Sequence, residues 1–390
     1  EKDAASWTRL GVLLHFNLGR YEEAEAAYRQ AITLDEKDAA SWTRLGVLLH
    51  FNLERYEEAE VAYRQAIALD EKDVATWTHL GTLLHFNLER YEDAELAYRQ
   101  GIALDEKNAI LWSGLGNLLA NHFSRYEDAE AAYRQAIALD EKDASLLHSL
   151  GNLLSTIGRY EEAETAYRKA LALDEKNAAL LNNLGNLLST IDRYEEAETT
   201  YRKALDLDEK NPALWNGLGD LLAAHLGRNE EAEAAFRRAI ALDNNVDYPL
   251  ENLARLLARL GCHADAESFY REAIKATKDN QDILLQSHLF LGNRQLAMYA
   301  LHSLSTAAQS GDQLAFFRLK EQVWECHELG LGERLADLMA ESEAAGFLTP
   351  FIQALYTLAD AGGKLRDLPQ ESQQMADEIV RIGRLRQAKK

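Results

Sequence analysis

Residues 36–70 read EKDAASWTRLGVLLHFNLERYEEAEVAYRQAIALD, and the same sentence recurs along the chain. Copies of 35 residues begin at Glu1, Glu36, Glu71 and Glu106, copies of 34 at Glu141 and Glu175, and another of 35 at Glu209. A worn eighth copy fills roughly 244–279. A fixed period of this length marks a solenoid, in which each unit buries its apolar face against its neighbours alone. Such arrays present extended binding surfaces.

Within the quoted copy two helices are expected, a first (A) over roughly 39–51 and a second (B) over roughly 56–69. Trp42, Leu45, Leu48 and Leu49 recur at three- and four-residue steps, as on one buried helix face. Ala59, Tyr63, Ala66 and Ile67 form the inner stripe of B. Glu57, Glu58 and Glu60 occupy its first turns, where the helix dipole favours negative charge. Asp73 is placed to cap the next helix. Glycine recurs mid-helix at Gly11, Gly46, Gly81, Gly116, Gly151, Gly185 and Gly219. Each costs about 1 kcal/mol relative to alanine, so a close helix crossing is the expected reason.

These residues resemble the tetratricopeptide repeat (TPR) family. Its Trp-x-x-Leu-Gly start is matched at Trp7, Trp42, Trp77, Trp112 and Trp215. Its B-helix aromatic is matched at Tyr28, Tyr63, Tyr98, Tyr133, Tyr167, Tyr201, Phe236 and Tyr270, and its next alanine is Gly101 in the third copy. The family's inter-repeat proline is absent, and five copies carry one extra residue at the A–B turn. The resemblance implies an all-α, right-handed α-solenoid, with Trp112 and Tyr63 among its core aromatics. The expected division is a repeat array over 1–279 and a helical capping region over 280–390. In that region the patterning predicts helices over 284–291, 295–308, 312–329, 331–344, 350–361 and 369–386.

The formal charge is −22, which disfavours nucleic-acid binding through a basic surface. Most acids fall in recurring EEAE and LDEK segments, which read as solvated surface and helix starts. No apolar run is long enough to span a membrane. Two cysteines argue against a disulfide scaffold and fit a cytoplasmic location. Cys262-His263 and Cys326-His327 lack the short spacing of a zinc site, and no cofactor is expected. The chain starts in phase with the repeat and without Met, so it reads as a piece of a longer protein.

The resemblance also carries site expectations. In the TPR family the A helices line a concave groove. The first candidate column is His15, His50 and His85. A second runs Val12, Val47, Thr82, Asn117, Asn152, Asn186, Asp220, and a third Thr8, Thr43, Thr78, Ser113, His148, Asn182, Asn216. Asparagine offers donor and acceptor together and can bind an extended peptide backbone. The expected function is a non-enzymatic scaffold holding a protein or peptide segment. The alternative is the recognition arm of a larger bacterial regulatory or defence protein, with its effector domain upstream.

Overall fold

The computed structural model describes residues 3–243, 247–277, 281–309, 315, 318–320, 322–323, 326, 329–342, 344, 346–349 and 351–352. It divides into two compact units, residues 1–175 and 176–390. The described residues are helical, without strands.

The first unit contains five helix pairs. They are α1 (Ala4–Val12, prolonged by a π-turn over Leu13–Asn17) with α2 (Tyr21–Leu34), α3 (Ala39–Phe51) with α4 (Tyr56–Leu69), and α5 (Val74–Phe86) with α6 (Tyr91–Leu104). Then come α7 (Ala109–Asn121) with α8 (Tyr126–Leu139), and α9 (Ala144–Thr156) with α10 (Tyr160–Leu173). Each A helix packs on its own B helix, each B helix on the next A helix, and α3, α5, α7 and α9 touch in succession.

Local chemistry sets the helix ends. The carboxylate of Asp38 accepts from the Ala40 amide at 3.2 Å, and Asp73 and Asn108 cap α5 and α7 the same way. After each B helix an aspartate folds the linker: Asp35 Oδ1 accepts from the Lys37 amide at 3.0 Å, and Asp70 from Lys72 at 3.1 Å. Such an Asx-turn fixes the corner without the family's proline. The A–B turn needs one residue at positive φ, supplied by Gly19, Glu54, Glu89, Ser124 and Gly158. In the longer copies the Arg55 amide reaches back to Leu49 O, whereas in the shorter one the Arg159 amide reaches Leu154 O. The extra residue is therefore absorbed inside the turn.

The mid-helix glycines admit the B-helix tyrosine. A Cβ on Gly46 would lie 2.6 Å from the Tyr63 ring, and one on Gly81 2.7 Å from Tyr98. Neither ring could stay where it is. The next A helix closes the other side: His79 stacks on Tyr63 with centroids 5.9 Å apart. Trp112, expected in the core, is only half-buried. Its indole N–H instead donates to Glu106 O at 2.9 Å, tying the A helix to the linker before it. Gly101, the exception to the alanine rule, faces Leu111, whose Cδ1 would sit 2.8 Å from an added Cβ.

Arginines stitch successive B helices. Arg55, just before α4, forks onto Glu58 at 2.7 and 2.6 Å and extends Nη1 to Glu25 of α2 at 2.8 Å. Arg90 reaches Glu60, Arg125 reaches Glu95 and Arg159 reaches Glu130 in the same manner. Exposed pairs of this kind add little individually.

The second unit contains α11 (Ala178–Thr190), α12 (Tyr194–Leu207), α13 (Pro212–Ala224), α14 (Asn229–Leu242), α15 (Asp247–Arg259) and α16 (His263–Ala276). Beyond the last recognisable copy, α17 (Gln281–Phe290) and α18 (Arg294–Gln309) form another packed pair. Phe290 meets Tyr270 of α16 at 4.8 Å. Helix α19 (Gly332–Glu341) joins a core of Leu289, Leu301, Leu319, Leu335, Met339 and Phe351. The helices expected over 284–291, 295–308 and 331–344 correspond to α17, α18 and α19. Those over 312–329 and 350–361 fall mostly, and that over 369–386 wholly, outside the described residues.

Candidate functional site

The exposed face of each A helix is a recurring strip. On α3 it comprises Ala40, Arg44 and Phe51, with Thr43 and Val47 half-buried between them. On α9 the same positions carry Ser145, Ser149, Thr156, His148 and Asn152.

His15, His50 and His85 do not belong to this strip. They are buried, at 5%, 3% and 2% exposure, which corrects their expected place in a groove. His50 Nε2–H donates to Asn87 Oδ1 at 2.8 Å, and His15 makes the same bond to Asn52 at 2.7 Å. Both asparagines stand in the extra-residue turn of the following copy, so histidine and long turn operate together as a joint between repeats. In the next copy the turn residue is His122, which meets His85 with ring centroids 5.1 Å apart. Burial, and secondarily the His122 charge, lowers the His85 pKa to about 4. Burial lowers those of His15 and His50 against the pull of their asparagine bonds.

Thr43 and Thr78 are also engaged internally. The Thr43 hydroxyl lies 2.6 Å from that of Thr76, which donates to the Asp73 cap, and Thr78 donates to Val74 O at 2.8 Å. In the second unit the Asn216 carbonyl accepts from Asn252 at 3.0 Å and Asp220 accepts from Arg255 at 3.2 Å. Asn182 is half-buried, with its Oδ1 enclosed and without a hydrogen bond. His148 is half-buried near Tyr167, and burial holds its pKa down.

Asn117, Asn152 and Asn186 share one construction. In the first unit the Tyr133 hydroxyl donates to Asn117 Oδ1 at 2.8 Å, and Tyr167 donates to Asn152 Oδ1 at 2.7 Å. In the second, Tyr201 donates to Asn186 Oδ1. Each core tyrosine therefore grips the amide by its oxygen. Asn152 and Asn186 are exposed and Asn117 half-buried. Their carboxamide oxygens are thus already engaged by the core, rather than standing open beside the donors as expected.

The sequence reading missed a row of exposed aromatics. Phe16, Phe51 and Phe86 are 62%, 53% and 60% exposed, each stacked on the buried histidine beside it at about 4 Å. A signal was available: later copies place Asn121, Thr156, Thr190 and Ala224 at this position, a mostly polar set unlike the leucines of the core. The histidine column becomes Ala120, Ser155, Ser189 and Ala223, small residues suited to an enclosed site.

Among the described residues, Cys262 is exposed and Cys326 buried, both as free thiols, and no helix is long and apolar enough to cross a membrane.

Tetratricopeptide repeat profiles match residues 10–74, 74–108, 108–176, 144–210 and 183–247, more than half of the chain. Among solved structures, a tetratricopeptide repeat protein from Parabacteroides merdae is similar at 18% identity, with a TM-score of 0.51, covering 64% of this chain and 97% of that one. The C-terminal part of a TPR repeat-containing protein from Cytophaga hutchinsonii is similar at 16% identity, with a TM-score of 0.52, covering 63% and 99%. At these identities the likeness concerns the fold. No curated protein matches the chain.

Proposed function

The chain belongs to the tetratricopeptide repeat family, a class of protein-interaction scaffolds, and we propose that it holds a protein or peptide segment against the exposed face of its A helices. The observation that carries this reading is the tyrosine-gripped asparagine at Asn117, Asn152 and Asn186. A hydroxyl that fixes the amide oxygen pre-orders the –NH2 donors before a ligand arrives, which reduces the entropy lost on binding. Backbone carbonyls of an extended segment are the matching acceptors. The mode of action is non-enzymatic. The B-helix surface, by contrast, spends many of its acids on ion pairs with the stitching arginines.

The discriminating variant is Asn117→Asp with Asn152→Asp and Asn186→Asp. Aspartate keeps an acceptor for each tyrosine and removes the –NH2 donors. Affinity for a captured partner should fall by about 2–4 kcal/mol if the contributions add. The control is Glu161→Gln, Glu195→Gln and Glu230→Gln, on exposed starts of B helices. Loss of binding in the control with none in the asparagine variant would place the site on the B-helix face.

A further inference from the structure

We propose that the strip on α1, α3 and α5 docks a protein segment whose apolar side chains are interrupted by carboxylates. This rests on the reading above that the A-helix face is the binding face, and adds the chemistry of the occupant.

Three exposed phenylalanines, one per repeat, form the apolar component, at 62%, 53% and 60% exposure for Phe16, Phe51 and Phe86. Val12 and Val47 stand half-buried on the same strip, where α7 and α9 carry Asn117 and Asn152. An aromatic row of this kind is costly to leave in water, and rows of large rings are what interfaces use as anchors. The charge on the strip is the second argument. The chain is strongly acidic, yet the exposed charges here are Arg9 and Arg44. Arg9 is felt by Asp3 at the helix start and Arg44 by the Tyr28 hydroxyl, but among the described residues neither guanidinium forms an ion pair, whereas Arg20, Arg55, Arg90 and Arg125 all do. Arg44 holds, relative to Phe16, the place that His79 holds relative to Phe51, whose rings meet edge-on at 5.9 Å. A guanidinium at the phase next to an exposed ring suits a carboxylate with an apolar neighbour. Base stacking on the phenylalanines would suit a nucleic acid, but two arginines on a chain of charge −22 offer too little phosphate neutralisation.

The test uses the full chain and fluorescein-labelled tandem peptides, Glu-Leu-Asp-Phe-Glu-Leu-Asp-Phe, its Gln/Asn analogue and its Lys analogue, followed by fluorescence anisotropy. The acidic peptide should bind about tenfold more tightly than the lysine one despite the overall negative charge. Arg9→Gln with Arg44→Gln should abolish that preference and leave the Gln/Asn peptide unchanged. Phe16→Ser, Phe51→Ser and Phe86→Ser should weaken all three peptides with only a small shift in the thermal melt, because more than half of each ring lies in solvent. Equal or tighter binding of the lysine peptide overturns the proposal, as does indifference to the arginine pair or no saturable binding. Tighter binding of an oligothymidylate overturns it in favour of nucleic acid. If the asparagine variant releases a captured partner while the Phe and Arg variants retain it, the general function stands and this inference fails.

Discussion

Repeat two (residues 36–70) and repeat six (175–208) bury the same ring under the same glycine, and differ over the ring's hydroxyl. Tyr63 faces His50 Nδ1 at 3.4 Å, a buried partner belonging to the joint with the following repeat. Tyr201 donates to Asn186, which is exposed. A buried hydroxyl must find a partner or lose free energy, and the choice determines what the outside can be. When the partner is inside, the position above the ring is free to be Val47, and the strip beside it carries Phe51 and Arg44. When the partner is outside, that position is an amide and the strip is polar. The contrast shows that in a stack of near-identical units, surface chemistry can be set by how one core group is satisfied.

The largest effect tests the part common to both. Tyr63→Ala and Tyr201→Ala should each cost about 3–5 kcal/mol, since both rings are fully enclosed and their glycines cannot fill the gap. Urea denaturation followed by circular dichroism would show it. A loss in only one of the pair would mean that the two repeats do not share a core.

Acid should act on the repeats whose tyrosine partner is a buried histidine, and His85 of repeat three is the clearest case. His85 stays neutral in the folded protein down to about pH 4, whereas in the unfolded chain it takes a proton near its ordinary value. Its contribution is therefore complete above about pH 6.5 and is lost as the pH falls toward about 4. Between pH 7 and pH 5 the loss should be about 2 kcal/mol. His85→Gln should flatten this dependence in stability measured across the range. An unchanged slope would place the histidine in water.

Removing the hydroxyls alone sharpens the comparison further. Tyr201→Phe breaks a short bond and should cost about 1 kcal/mol. Tyr63→Phe breaks only a long one and should cost less. Tyr28 has neither partner, because Val12 replaces the asparagine and its buried hydroxyl makes no hydrogen bond. Tyr28→Phe should accordingly leave the melting temperature unchanged or raise it, and a clear drop would reveal an unrecognised partner for that oxygen.

Much of the fold was legible because period, glycine phase and apolar spacing all repeat, and agreement among copies is a strong constraint. The face of each side chain was less so. His50 and Phe51 are neighbours, about 100° apart around the helix, and the boundary between inside and outside runs between them. Histidine can serve on either side of such a boundary, so its column alone did not decide. The tyrosine–asparagine bond spans 15 or 16 residues between two helices and becomes visible only when both are placed. The half-exposed tryptophans were misread because aromatic character suggests burial, whereas their N–H groups are held by linker carbonyls.

The arginine stitch has a consequence for how such a chain can lengthen. Arg55 and Glu25 stand 30 positions apart, as do Arg90 and Glu60, and Arg228 and Glu198 in the second unit. Each of the first seven copies carries this arginine and the glutamate five residues after it, whereas the eighth has Cys262 in place of the arginine. A duplicated segment of DNA encoding one such unit would deliver both halves of each new connection, anywhere among those seven. Among the first seven copies, gaining or losing one leaves no mismatched seam, so these connections place no fixed number on that part of the row.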